Sequence, residues 1–170
     1  MIKKLFGYIL YAISPVRYAR SLGVSIGHGC FISTRKWSSE PYLIRIGNNV
    51  QITQDVWFHT HGGCHVARRE YSDFDVFGRI VIEDWAYIGS GAHIMPGVTI
   101  GEGSLIAAGS IVTRSVPPGE VWGGTPAKKI CTVEDYIRRN LPYNLNSKKL
   151  SAREKKKKLL SLADDRFIKK

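Results

Sequence analysis

Residues 82–113, broken at every sixth position, read IEDWAY IGSGAH IMPGVT IGEGSL IAAGSI VT. An aliphatic opens each block: Ile82, Ile88, Ile94, Ile100, Ile106 and Val112. From Ile88 on, a small or modest residue stands two places earlier: Ala86, Ala92, Val98, Ser104 and Ser110. The residue after the aliphatic is often small as well, as at Gly89, Gly101 and Ala107. A helix has a period of about 3.6 residues and a strand about 2, so neither yields this pattern. A short strand followed by a turn does. The aliphatic then points inward, the next residues make a corner, and the small residue lets successive coils close on one another. The spacing predicts a mainly β protein, a β-helix built of hexapeptide repeats.

Working outward, the same phase holds at Ile46, Ile52 and Phe58, preceded by Val50 and Val56, with a fragment at Ile26 and Ile32. Phase is lost between Ile32 and Ile44 and again between Phe58 and Ile80. The second gap is long for a structureless loop in a compact domain, and such loops are usually functional. It opens on WFHTHGGCHVARR, residues 57–69, which holds His59, His61, Cys64 and His65.

The ends read differently. Ile2, Leu5, Phe6, Ile9, Leu10 and Ile13 fall on one helical face, predicting an N-terminal helix within 1–22 that caps the open end of the coil. The coil itself spans 23–131, with an inserted loop at about 60–79. Residues 132–170 form a helical, basic tail. Thr132 with Asp135, and Ser151 with Glu154, have capping-box spacing for helices over 133–140 and from 151 to about 168.

The formal charge is +11. Residues 147–170 hold ten Lys/Arg and three Asp/Glu, net +7, leaving +4 for the remainder. The basic character belongs to the tail, so no nucleic-acid partner is expected. The Lys155–Lys158 run reads as a solvated face, with anionic lipid or an acidic glycan as the sharper alternative. Three cysteines without C-x-x-C spacing read as free thiols in a reducing compartment. The run Leu5–Ile13 is too short to span a membrane and lacks a good signal-peptide cleavage site. These features give a cytoplasmic expectation, with peripheral contact at the inner face of the membrane.

Residues 78–130, GRIVIEDWAYIGSGAHIMPGVTIGEGSLIAAGSIVTRSVPPGEVWGGTPAKKI, resemble the hexapeptide-repeat acyltransferases, most closely the branch that O-acetylates sugars and surface polysaccharides. Thr60-His61-Gly62-Gly63 looks like that branch's T-H-(D/G)-G catalytic segment. The resemblance implies a left-handed parallel β-helix, against the usual right-handed crossover rule. It further implies a homotrimer with acetyl-CoA in the groove between neighbouring coil stacks.

The implied reaction moves an acetyl group from a thioester to a hydroxyl, and a neutral imidazole suits the removal of that hydroxyl's proton. By match, His61 is the base, and Ser90 in I-G-S is an oxyanion donor, with Gly89 and Gly91 allowing close approach. Ala108 and Thr113 match the G-A-G-S-x-V-T segment that lines the CoA arm. Lys128 matches the basic position after Gly-x-Pro, Lys129 assists it, and Trp122 flanks the adenine. Cys131 departs from the pattern, standing where relatives often carry a second cation. Arg68, Arg69 and Tyr71 are candidate acceptor contacts from the loop. Tyr87 stands where many relatives have Trp, and Trp85 two residues earlier is the other candidate aromatic. For the partner that orients His61, Asp55, Asp73, Asp75 and a backbone carbonyl all remain open. His93 reads as structural, His28 as a turn residue, and Cys64 as a bystander thiol.

A metal centre is the rival reading, because γ-class carbonic anhydrases share the coil and its Gly-x-Pro-Ala-Lys ending. Their H-x₄-H spacing is missing here, where the pairs are H-x-H and H-x₃-H, and no fourth ligand completes a tetrahedron. No metal is expected. N-acetylation of an amino-sugar nucleotide is the nearest enzymatic alternative, and a catalytically inert assembly coil is the non-enzymatic one.

Overall fold

The computed structural model describes residues 10–169, and the predicted apolar helical face at 2–13 lies largely outside them, with residues 10–13 helical. Two units divide the chain, Met1–Val133 and Glu134–Lys170.

In the first unit the repeat is a coil. Helix α1 (Pro15–Ser21) begins with Ser14 as its N-cap and Pro15 in the first turn, a favourable start because proline has no N–H to leave unpaired. It packs beside strands β1 (Ser25–Ile26) and β2 (Phe31–Ile32), with Ala19 fully buried. The chain then runs through β3 (Ile44–Ile46), β4 (Gln51–Ile52), β5 (Trp57–Phe58), β6 (Ile80–Ile82), β7 (Tyr87–Ile88), β8 (His93–Ile94), β9 (Thr99–Ile100), β10 (Leu105–Ile106) and β11 (Ile111–Val112). These strands belong to three parallel sheets, ordered β1-β3-β6-β9, β2-β4-β7-β10 and β5-β8-β11. From β3 to β11 consecutive strands visit the sheets in a fixed cyclic order; between β2 and β3 only an isolated Lys36–Trp57 bridge reaches the third sheet. The edge of the second sheet closes with β12 (Glu120–Gly124), parallel to β10, and β13 (Ala127–Thr132), antiparallel to β12.

Register explains the period of six. Ile26, Ile46, Ile82, Ile100 and Val116 align on the first sheet. Ile32, Ile52, Ile88 and Ile106 align on the second, and Phe58, Ile94 and Val112 on the third. All are buried, so each aliphatic stacks on its counterpart one coil away. Val50, Val56, Ala86, Ala92, Val98, Ser104 and Ser110 are buried beside them. Trp37 lies within the first stretch where phase is lost, yet it is buried and stacks on Phe58 with ring centroids 5.0 Å apart.

The corners need a left-handed backbone. Asn49, Asp55, Gly91, Gly97, Gly103 and Gly109 all take positive φ there, a conformation open to glycine and tolerated by Asn and Asp. Trp85 adopts the same conformation, at φ +59. Gly89 answers a different demand: a Cβ there would lie 2.5 Å from the Ala108 nitrogen on the next coil.

Ile94→Ala is expected to cost about 2–5 kcal/mol, because it empties a fully buried rung. Gln51→Ala, on an exposed strand position, is expected to stay within about 0.5 kcal/mol. Urea denaturation of the two variants checks the contrast.

The second unit contains α2 (Val133–Asn140, its first residue still in the first unit) and α3 (Ala152–Leu160), with a single-turn helix at Asp164–Arg166. Ser151 and Glu154 form the predicted capping box. The helix stops at Leu160 rather than continuing to about 168, and the C-cap Ser161 turns the chain out. Among the described residues, no helix is long and apolar enough to cross a membrane.

Candidate active site

After β5 the chain leaves the coil and returns to it along an antiparallel pair. Gly78 N–H donates to the Thr60 carbonyl at 2.8 Å, Gly62 N–H donates to the Val76 carbonyl at 3.1 Å, and His61 stands opposite Phe77. The excursion between them is built on its own contacts. Its 3-10 helical stretch Cys64–Arg69 starts at a buried Cys64, whose Sγ accepts from Val76 N–H at 3.1 Å. Arg68 donates through Nε to the Phe74 carbonyl at 3.1 Å, and its guanidinium lies 3.7 Å from Asp75. Tyr71 packs on Phe74 with centroids 6.4 Å apart. Arg69 and His65 are exposed. Cys64 is a free thiol, and its burial and its bond to Val76 tie the two limbs of the excursion together.

His61 stands at the neck of this excursion. Its Nδ1 lies 2.9 Å from Glu40 Oε2. The same carboxylate oxygen accepts from Thr60 Oγ1 at 2.6 Å, and Thr60 Oγ1 is 2.9 Å from Ser38 Oγ. Hydrogen bonds from Thr60 and then His61 hold the Glu40 carboxyl below its ordinary pKa, so it stays ionised. An ionised carboxylate only accepts hydrogen bonds, so Nδ1 must carry the proton. That tautomer leaves Nε2 with its lone pair, on a half-exposed side chain. The arrangement is an imidazole oriented by a carboxylate, able to accept a proton at Nε2.

Glu40 is the residue that sequence reasoning missed. Of the open candidates, Asp75 engages Arg68 and Asp55 sits at a coil corner with φ +54. Glu40 falls where the repeat loses phase, 21 residues before its partner, and nothing in its neighbours flags it. Within one chain the aromatic against His61 is Phe77, edge-on with centroids 6.5 Å apart. Trp85 lies at the corner between the first and second sheets, its N–H bonded to the Asn48 carbonyl. Tyr87 points outward from the second sheet between Gln51 and Leu105.

Two other histidines form a separate pair on the third sheet. His59 Nε2 is 3.0 Å from His93 Nδ1, and the two ring planes differ by 10°. At that spacing the rings lie edge to edge, sharing one hydrogen. Both are near-parallel to Trp57, and the Lys36 ammonium sits 4.3 Å from the Trp57 centroid. Burial first, then the neighbouring His93 and His61, lowers the pKa of His59. This favours an uncharged His59. Among the described residues, no three metal-ligating side chains converge.

The remaining candidates fall on other corners. Ser90 follows β7 and donates to Thr53 Oγ1 at 3.1 Å, and its carbonyl accepts from Gly109 N–H at 2.8 Å. Ala108 follows β10 on the same corner, directly above it. Thr113 follows β11, on the opposite edge of the third sheet. One chain therefore holds His61 and Ser90 on opposite edges of that sheet, not in contact. At the β12–β13 end, Glu120 accepts from Lys129 at 2.5 Å and from the Trp122 indole at 2.7 Å. These two bonds, Lys129 first, hold the Glu120 carboxyl below its ordinary pKa. Lys128 is exposed and, among the described residues, makes no ion pair.

Comparison with known proteins matches residues 79–114 to the family described as bacterial transferase hexapeptide (six repeats). Protein CapG of Staphylococcus aureus is 43% identical over 163 residues, which cover 94% of this chain and 95% of that protein. Galactoside O-acetyltransferase of Escherichia coli is 32% identical over 139 residues, covering 79% of this chain and 68% of that one. Among solved structures, a hexapeptide-repeat acetyltransferase of Vibrio cholerae complexed with acetyl coenzyme A superposes with TM-score 0.53 at 29% identity, over 69% of this chain and 75% of that chain. A maltose O-acetyltransferase of Clostridium difficile superposes with TM-score 0.53 at 27% identity, over 68% and 73%.

Proposed function

The chain belongs to the hexapeptide-repeat acyltransferases, and from that premise we propose that it moves an acetyl group from acetyl-CoA to a sugar hydroxyl of a surface polysaccharide or its precursor. The observation that carries the reading is the His61–Glu40 pair at the neck of the excursion. Nε2 takes the hydroxyl proton as the sugar oxygen attacks the thioester carbonyl. A C–O bond forms and the carbonyl oxygen becomes an oxyanion. Collapse breaks the C–S bond, and the departing thiolate takes the proton back from the imidazolium. The products are an acetyl ester and free CoA. Glu40 keeps Nδ1 protonated throughout and stabilises the transient imidazolium.

The oxyanion needs fixed donors. Ser90 fills this role from a second copy of the chain, since one chain keeps it away from His61 across the third sheet. This makes the working unit a homotrimer of left-handed coils, with acetyl-CoA in the groove between neighbours. Ala108 and Thr113 offer groups to the pantetheine arm. Lys128 meets the CoA phosphates, while Lys129 reaches them only by leaving Glu120. Trp122 flanks the adenine. Arg68, Arg69 and Tyr71 face the acceptor, and Trp85 and Tyr87 serve only if a neighbouring copy presents them. The E. coli and C. difficile relatives, named for acetylating galactosides and maltose on oxygen, support the choice of a sugar hydroxyl. We place the enzyme in the cytoplasm, where acetyl-CoA is made and used.

Release of free CoA thiol, measured against a panel of glycans, simple sugars and amino-sugar nucleotides, tests the acceptor class. Turnover with hydroxyl acceptors is expected. Turnover confined to amino-sugar nucleotides overturns the reading in favour of N-acetylation. Light scattering is expected to give three times the chain mass, and an active monomer would remove Ser90 of a neighbour from the mechanism.

A further inference from the structure

The unit Glu134–Lys170 is unlike the coil in one respect: none of its described residues is buried. A folded unit ordinarily hides its Ile, Leu and Phe. Here Tyr136, Ile137, Leu141, Leu160, Phe167 and Ile168 all stand exposed, Leu160 at 78%. The same 37 residues carry twelve Lys/Arg against five Asp/Glu, a net +7.

The charge is concentrated on α3. Lys155, Lys156, Lys157 and Lys158 are consecutive in a helix, where each residue advances about 100°, so their stems spread over most of its circumference. Among the described residues, none of the four pairs with a carboxylate. Lys158 donates to the Leu145 carbonyl at 2.5 Å, and Lys155, Lys156 and Lys157 are exposed. The helix ends at exposed Leu160, and Phe167 and Ile168 follow within eight residues.

We infer that this unit docks on an anionic lipid surface, its lysines among the headgroups and Leu160, Phe167 and Ile168 in the acyl boundary. The partner is chosen by needing to satisfy both features at once. A soluble polyanion answers the charge and leaves the apolar side chains in water. A second copy of the coil does not answer the charge, because residues 1–133 themselves carry net +4. A bilayer interface takes cations at the headgroups and apolar side chains just below them. Nothing in this placement depends on which acceptor the enzyme uses.

Co-sedimentation of the full chain with vesicles tests it. Binding is expected to equimolar phosphatidylglycerol and phosphatidylcholine, and not to phosphatidylcholine alone. Raising salt from about 50 to 500 mM should weaken it at least tenfold, because headgroup attraction is screened. Lys155→Gln, Lys156→Gln and Lys157→Gln together should weaken it about 100-fold. Leu160→Ser, Phe167→Ser and Ile168→Ser together should weaken it about tenfold or more at unchanged charge. Failure of the native chain to sediment with the anionic vesicles overturns the proposal. So does native-like sedimentation of the triple-serine variant, which would mark a simple polyanion site, as would equal retention on a sulfated polysaccharide. Circular dichroism confirms that each variant is folded, and the composition and salt arms use only the native chain.

Discussion

His61→Ala is expected to lower acetyl transfer by at least ~10²-fold while leaving CoA binding within about twofold of normal. The first half follows from the geometry at the neck of the excursion. No other imidazole is available to replace the lost base: His59 is hydrogen-bonded to His93, and His65 is carried on the exposed loop. The second half follows from topology. Ala108 and Thr113 lie on rungs of the coil, and Lys128 lies on β13, so none depends on the His61 side chain. Steady-state CoA release with a saturating sugar acceptor gives the rate, and calorimetric titration with CoA gives the affinity. A variant with near-normal turnover removes His61 from the mechanism. A variant that loses CoA binding in parallel marks His61 as structural instead. The loss should be in kcat rather than in KM for acetyl-CoA, since proton removal strengthens only as the transition state forms.

What could be read in advance depended on whether a residue's position follows from the period. The inward rungs did: Ile88, Ile94 and Ile100 are buried because a coil of short strands leaves every sixth side chain nowhere else to go. The boundaries of the excursion also emerged, because a loop announces itself where the phase breaks. Residues within the breaks carry no such signal. Trp37 enters the core from an out-of-phase stretch, and Glu40 reaches His61 from the same stretch. Phe77 reaches His61 because the returning limb pairs antiparallel with the outgoing one, which no local pattern dictates. Cys64 looked expendable as a thiol; its role is to accept a backbone hydrogen bond across the excursion, and twelve residues separate it from its donor. Tyr87 and Trp85 show the converse limit. Their spacing along the sequence is plain, but which corner of the coil faces the base depends on how three sheets close on one another. The candidate site is thus split: His61 is marked by a motif, and Glu40 and Phe77 reach it from segments that only the closed coil brings together.

Glu40→Gln is expected to lower kcat/KM roughly 10- to 100-fold, the range for losing a hydrogen bond to a charged group. The substitution keeps the shape and removes the charge. A carboxylate can only accept, so it fixes the proton on Nδ1; an amide can also donate, which allows the tautomer whose Nε2 already bears hydrogen and cannot act as base. The imidazolium formed in the transition state loses its counter-charge as well. The sign of the pH dependence distinguishes this role from a structural one. Bonds from Thr60 and His61 hold the Glu40 carboxyl below its ordinary value. Its support is therefore complete above the ordinary carboxylate range, about 4.3, and is lost only as pH falls through the depressed value. Between about pH 7 and 5 Glu40 therefore stays ionised, and its titration contributes nothing to any change of activity there. Glu40→Gln removes the charge that faces the ring at 2.9 Å, so the acidic limb of its kcat/KM profile should differ in position from that of the native enzyme, even as the plateau falls. A Thr60→Val variant supplies the control. It removes the first-named bond to the carboxylate, at 2.6 Å, and leaves the charge beside His61. Its acidic limb should stay near that of the native enzyme. A fall in plateau without movement of the limb in Glu40→Gln would show that the carboxylate only holds the neck of the excursion in place.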